Sequence, residues 1–152
     1  MNVHCHQCGA RIRAGESTCL DRFNAIQLKE IENPDSYYKA HHLSVPCYLL
    51  QHNIYSGRRW LETYHLLERY VYAGLTPEEA RQQLHGKTVG RQMSGGPSRS
   101  DKLPGVEQIS WSRTIADVRD DTPGNYLEDV QKWAAAVLKD AEALVRSAET
   151  KE

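Results

Sequence analysis

Cys5-His6-Gln7-Cys8-Gly9 is the feature that most narrows what this chain can fold into. Two thiolates separated by two residues can point at one ion, and the glycine behind them relieves the tight turn. Ten residues intervene between Cys8 and Cys19, Gly15 among them, near enough for the chain to return a third sulfur. Zinc accepts such soft ligands in a tetrahedron, since its filled d shell imposes no other geometry. Residues 1–19 therefore read as a turn-rich metal knuckle, with a structural Zn2+ on Cys5, Cys8 and Cys19. The fourth ligand has to come from His6, His41, His42, Cys47 or a later histidine. The side chain of His6 should diverge from its flanking cysteines, and Cys47 on a helix serves as a small buried hydrophobe. His41 is the expected fourth ligand. A redox reading fits less well, because such pairs usually open a helix after a strand. Nothing besides the cysteine number points to an oxidising compartment.

Hydrophobic periodicity predicts a mainly α protein, a small helical bundle behind the knuckle, with no credible sheet. A helix is expected from about Leu20 to Ile31, with Leu20, Phe23, Ile26 and Ile31 inward. Asn33-Pro34-Asp35-Ser36 closes it and opens another, in which Asn33 can cap and Pro34 occupies a position that needs no donor. Pro46 interrupts the next helical stretch, Asp35 to Tyr55. Either that helix kinks near His42, or a new one starts with Ser44 as cap. Trp60 to Tyr72 repeats at helical spacing and Gly74 suits its end. Thr76-Pro77-Glu78-Glu79 carries a threonine cap, an N1 proline and a glutamate placed to reach back, for a helix ending near Leu84-His85-Gly86. Thr114 and Asp117 can cap a short turn. Asn125 with Glu128 starts the last helix, whose stripe is Tyr126, Val130, Trp133, Val137, Ala141 and Leu144.

The chain has 152 residues, enough for one domain over 1–152 with a knuckle at 1–19 and a helical body at 20–152. It contains no run of 18 apolar residues, which argues against a membrane span. The polar N-terminus lacks a secretory pattern, so a cytoplasmic location is the default expectation. Net charge is −1, which disfavours a general attraction to nucleic acid. The distribution is uneven, however. Residues 80–105 carry five basic residues, Arg81, Lys87, Arg91, Arg99 and Lys102, against the single acid Asp101. A long glycine- and serine-rich loop is expected at 87–104, and loops of this kind serve as lids or binding segments or are disordered. Its glycines do not match a phosphate-loop spacing.

Histidines and acids supply the remaining chemistry. His41 and His52 are eleven residues apart, close to three helical turns, with Tyr48 between them on the same side. His65 follows on the next helix, flanked one turn away by Glu62 and Glu68. Convergence of His41, His52 and His65 near the sulfurs would give a second metal site, or a base and a proton donor around a water. The plainer alternative leaves two of them partly exposed and one in a structural role. Tyr37, Tyr38, Tyr48, Tyr55, Tyr64, Tyr70 and Tyr72 crowd the middle third, where rings can be buried while hydroxyls reach water.

The segment His41-His42-Leu43-Ser44-Val45-Pro46-Cys47-Tyr48-Leu49-Leu50-Gln51-His52, with Cys5-His6-Gln7-Cys8-Gly9, resembles an uncharacterised bacterial family of small proteins. The shared features fall on Cys5, Cys8, Gly9, His41, Tyr48, Gln51 and His52. His65-Leu66, Thr114 to Val118 and Trp133 are similar as well, while 87–104 lies outside the likeness. The resemblance implies functional roles for His41 and His52 and carries no activity. This chain departs from the pattern at Pro46, where an aspartate is preferred, and at Asn53, where a proline is. The first departure removes a ligand or base from the central helix.

Three functions follow as expectations. The leading one is a small zinc-binding helical protein that works through a small ligand or a protein partner. The second is a metal-assisted hydrolase or related enzyme, with His52, His65 and Glu62 as its catalytic candidates. The third is a nucleic-acid-binding module using the basic loop at 87–102.

Overall fold

The computed structural model describes residues 2–13, 18–88 and 102–150. The chain begins with a correction to the sequence reading, a two-stranded antiparallel hairpin. Strand β1 (Asn2–His4) pairs with β2 (Arg11–Arg13) in the register Asn2 with Arg13, Val3 with Ile12 and His4 with Arg11. Three-residue strands around a cysteine turn show too little alternation to be read from sequence. The turn itself is built as expected. The Cys5 N–H donates to the Ala10 carbonyl at 2.8 Å and the Gly9 N–H to the Cys5 carbonyl at 2.9 Å. Gly9 sits at φ +78°, in the left-handed region that a side chain disfavours.

Helix α1 (Cys19–Glu32) starts in a capping box in which Thr18 accepts from the Asp21 N–H and Asp21 answers the Thr18 N–H. Its inward face is Cys19, Phe23, Ile26 and Glu30, which recur at steps of four, three and four. Leu20 and Ile31, expected inside, are 55% and 65% exposed, because they lie on the face one position round from that stripe. Asn33 closes α1, its side-chain amide donating to the Lys29 carbonyl at 2.8 Å. A 3-10 turn (Tyr37–Ala40) then leads into α2 (His41–Gln51), which runs through Pro46. Ser44 lies inside α2, fully buried, and is not a cap.

Ser56 caps α3 (Gly57–Tyr72), and Gly74 at φ +69° lets the chain leave it. Thr76 and Glu79 form the expected reciprocal bonds at the start of α4 (Pro77–Thr88), at 3.1 Å in each direction. That helix continues past the expected stop at Leu84-His85-Gly86. Thr114 and Asp117 box a 3-10 turn (Ile115–Asp117) as expected. The last helix, α5 (Pro123–Thr150), starts one turn earlier than the sequence suggests. Thr122 Oγ1 accepts from the Asn125 N–H at 3.1 Å, and Pro123 takes the first helical position.

Helices α2, α3 and α5 pack against one another, and α1 lies against α2 and the Tyr37–Ala40 turn. The predicted α5 stripe is core: Tyr126, Val130, Trp133, Val137 and Ala141 are all buried, with Leu144 packed at the edge. Buried polar groups tie the end of α2 in place. Trp60 Nε1 donates to the Leu50 carbonyl at 3.0 Å and Trp133 Nε1 to Gln51 Oε1 at 3.1 Å, while Gln51 Nε2 donates to the Arg113 carbonyl at 2.7 Å. The residue after Gln51 is thereby delivered to a fixed place. No helix among the described residues is long and apolar enough to cross a membrane. Arg91 and Arg99 of the expected basic loop lie outside the described residues, as does most of that loop.

Candidate metal centre

Three separate elements meet at the N-terminal sulfurs. Cys5 and Cys8 come from the hairpin turn, Cys19 is the first residue of α1, and His52 is the residue that ends α2. One ligand atom from each of the four lies within 4.8 Å of all the others. Cys8 Sγ is 3.6 Å from Cys19 Sγ, and Cys5 Sγ is 3.8 Å from His52 Nε2. A tetrahedral zinc with bonds of about 2.0–2.3 Å requires ligand-to-ligand edges of roughly 3.5–3.8 Å. Cys8, Cys19 and His52 are buried and Cys5 is half-buried, so the cluster is shielded from water.

The chain also orients the donors. His52 Nδ1 sits 2.8 Å from the Tyr48 carbonyl, so that nitrogen carries the hydrogen and Nε2 turns its lone pair to the sulfurs. The imidazole is stacked on Tyr48, centroids 4.0 Å apart, and Tyr48 in turn on Phe23, also at 4.0 Å. Gln7 Nε2 donates to the His52 carbonyl at 3.1 Å, linking the knuckle to the end of α2. The Ala10 N–H points at Cys8 Sγ at 3.4 Å, a donor that favours a thiolate there. Asn53 follows at φ +50°, a left-handed conformation closed to proline.

These contacts unbalance the thiols. Cys8 is held down to about 4, chiefly by the hydrogen bond from Cys19 and further by His52 and the Ala10 N–H, against the effect of burial. Cys19 is pushed up, first by that shared hydrogen bond and then by burial and the charge of Cys8. Burial works against the charged form of His52, yet the neighbouring Cys8 and Cys5 sulfurs win and raise it. Tyr48 is pushed up to about 12 by burial and then by the three sulfurs. A thiolate beside a thiol that still holds its proton is a setting in which a divalent cation can replace that proton.

His41, expected as fourth ligand, does not join this cluster; its Nδ1 lies 2.8 Å from Glu30 Oε1. The sharing of a helical face with His52 holds, but the two residues stand at opposite ends of α2, and only the far end reaches the knuckle. His65 is elsewhere too, with Nδ1 2.7 Å from Glu68 Oε1 and Nε2 3.1 Å from Glu149 Oε1 on α5. It lines an open cleft of about 470 Å³ with Glu62, Arg58 and Lys102. Convergence of His41, His52 and His65 is therefore absent among the described residues, and the plainer alternative describes them: the side chains of His41 and His65 are partly exposed, while His52 is buried with Nδ1 on the Tyr48 carbonyl. Cys47 is fully buried and its thiol is raised by burial alone, as suits a small core hydrophobe. His6 is exposed. The residue that sequence reasoning missed is Glu30, and its signal was a carboxylate on the apolar stripe of α1, four residues after Ile26.

Fold and site together define a helical bundle with an N-terminal cysteine hairpin, whose Cys5, Cys8, Cys19 and His52 can hold a metal ion. The chain belongs to the family of unknown function DUF5946, which it matches over residues 3–142. No curated protein and no solved structure matches it.

Proposed function

We propose that this is a zinc-binding helical protein in which Cys5, Cys8, Cys19 and His52 hold one structural Zn2+, with His52 taking the place expected of His41. The observation that carries this reading is the orientation of His52, whose Nδ1 is committed to the Tyr48 carbonyl while Nε2 faces three sulfurs. Soft thiolates with one imidazole suit zinc better than magnesium or calcium, which favour oxygen ligands. Four protein ligands leave no open coordination position, so the ion organises structure and does not activate water. It fastens the hairpin to the start of α1 and the end of α2, fixing a helical surface that meets a small ligand or a protein partner.

Metal analysis of protein purified without chelator tests the assignment. One zinc per chain is expected, with loss of most of it in Cys8→Ser and in His52→Ala, and retention in His41→Ala. Full metal content in both of the first two variants, or loss in His41→Ala alone, contradicts it.

A further inference from the structure

Glu30 is fully buried, and three donors from two other helices converge on its carboxylate. His41 Nδ1 lies 2.8 Å from Oε1, while Ser44 Oγ at 2.8 Å and Tyr126 OH at 2.5 Å both lie on Oε2. Ser44 also accepts from Gln27 Nε2 at 3.3 Å, which orients its hydroxyl toward Glu30. Burial, followed by the hydrogen bond to Glu30, pushes the Tyr126 phenol up, so it stays protonated and donates. A carboxylate ringed by donors has the partners of its ionised form.

Pinning α1 to α2 and α5 does not need a charge. A buried ion is costly to hold, and an apolar group of the same shape often does the same task at no loss of stability. What distinguishes this network is that, of the three donors on Glu30, only His41 reaches the surface. Ser44 and Tyr126 are buried, whereas the His41 side chain is 35% exposed. Its ring is fixed twice, at Nδ1 by Glu30 and across its face by Tyr38, stacked with centroids 4.5 Å apart and planes 13° apart. With Nδ1 committed, the lone pair is at Nε2, which has no hydrogen bond among the described residues.

We propose that Glu30 and His41 form a second functional site, in which Nε2 of His41 is a pre-oriented base for a small hydroxyl-bearing ligand, water included. The proton of the ligand O–H moves to Nε2, the imidazolium so formed is held against the Glu30 carboxylate, and the proton returns when the ligand is released or converted. Such a buried carboxylate fixes the tautomer and stabilises the charged ring. Glu30 is the positioning residue. This site is separate from the sulfur cluster and does not rest on its occupancy.

Diethylpyrocarbonate, with the labelled histidines mapped by mass spectrometry, is the probe. The Nε2 lone pair of His41 attacks one carbonyl of the reagent and the ring N–H proton is lost, so that the ring keeps an ethoxycarbonyl group while ethanol and carbon dioxide depart. His41 should label roughly tenfold faster than the more exposed His6. Glu30→Gln, which keeps the volume, should remove that advantage with zinc content unchanged. Long-range nitrogen–proton NMR of the unmutated protein supplies a readout that needs no variant, and should show hydrogen on Nδ1 and none on Nε2 at high pH. Labelling of His41 no faster than His6, an unchanged rate in folded Glu30→Gln, or hydrogen on Nε2 overturns the proposal.

Discussion

At the residue scale, hydrogen-bonding partners separate side chains of the same type. His41 and His52 bracket α2, and each has one ring nitrogen committed, to Glu30 in the first case and to the Tyr48 carbonyl in the second. The committed nitrogen decides where the other lone pair goes, and so what the residue can do. Gln51, adjacent to His52, shows the same economy with an amide. It is 1% exposed, takes the Trp133 N–H on its oxygen and gives its own N–H to Arg113. Gln51→Leu would strand both partners in the interior, where each unsatisfied group costs about 1–3 kcal/mol. A destabilisation of roughly 2–5 kcal/mol is expected in denaturant unfolding. A loss below about 0.5 kcal/mol, the range of ordinary surface changes, would show that water replaces the amide.

At the element scale, α5 organises the bundle and is itself anchored near its start. Asp129 accepts from the Arg119 backbone N–H at 2.9 Å and from its guanidinium at 2.9 and 3.1 Å. Those donors hold the Asp129 carboxyl down to about 2, the Arg119 side chain contributing most. Because the folded value lies below the ordinary one near 3.8, the ionised carboxylate favours the folded state. This contribution is complete above about pH 4 and is lost as the pH falls toward 2. Thermal unfolding across that window should show a steeper acid loss in the unmutated protein than in Asp129→Asn, with the two curves converging at the acid end. Parallel curves would mean that Arg119 does not stabilise the carboxylate in solution.

At the scale of the whole molecule, the proposed ion links the knuckle to the bundle, so metal binding and folding should be coupled. Cys19 is raised and keeps its proton near neutrality, whereas Cys8, at about 4, has already lost its own. Zinc must therefore displace at least the Cys19 proton, and affinity should fall as the pH is lowered. Competition titrations against a chromophoric chelator should give at least a tenfold weakening per pH unit below neutrality. Removal of the ion should lower the unfolding temperature and raise amide exchange first in the hairpin and at the end of α2. A pH-independent affinity, or an unfolding temperature indifferent to chelator, would rule out this coupling.

Much of the architecture is legible along the chain because it depends on near neighbours. The turn at Cys5 to Gly9, the Thr76–Glu79 and Thr114–Asp117 boxes and the left-handed exit at Gly74 arise from contacts within a few residues, and the α5 stripe follows from helical spacing along its own segment. Three of the four clustered residues, Cys5, Cys8 and Cys19, are legible for the same reason, since a short spacing limits where their sulfurs can go. The partner of those sulfurs is different in kind. His41 and His52 are eleven positions apart, and helical periodicity puts both on one face without saying which end meets the hairpin. That choice depends on how α1 lies against α2, which brings Glu30 to His41 at one end and Cys19 toward His52 at the other. Long-range packing decides it, because a helix presents the same surface pattern whichever end its neighbour covers.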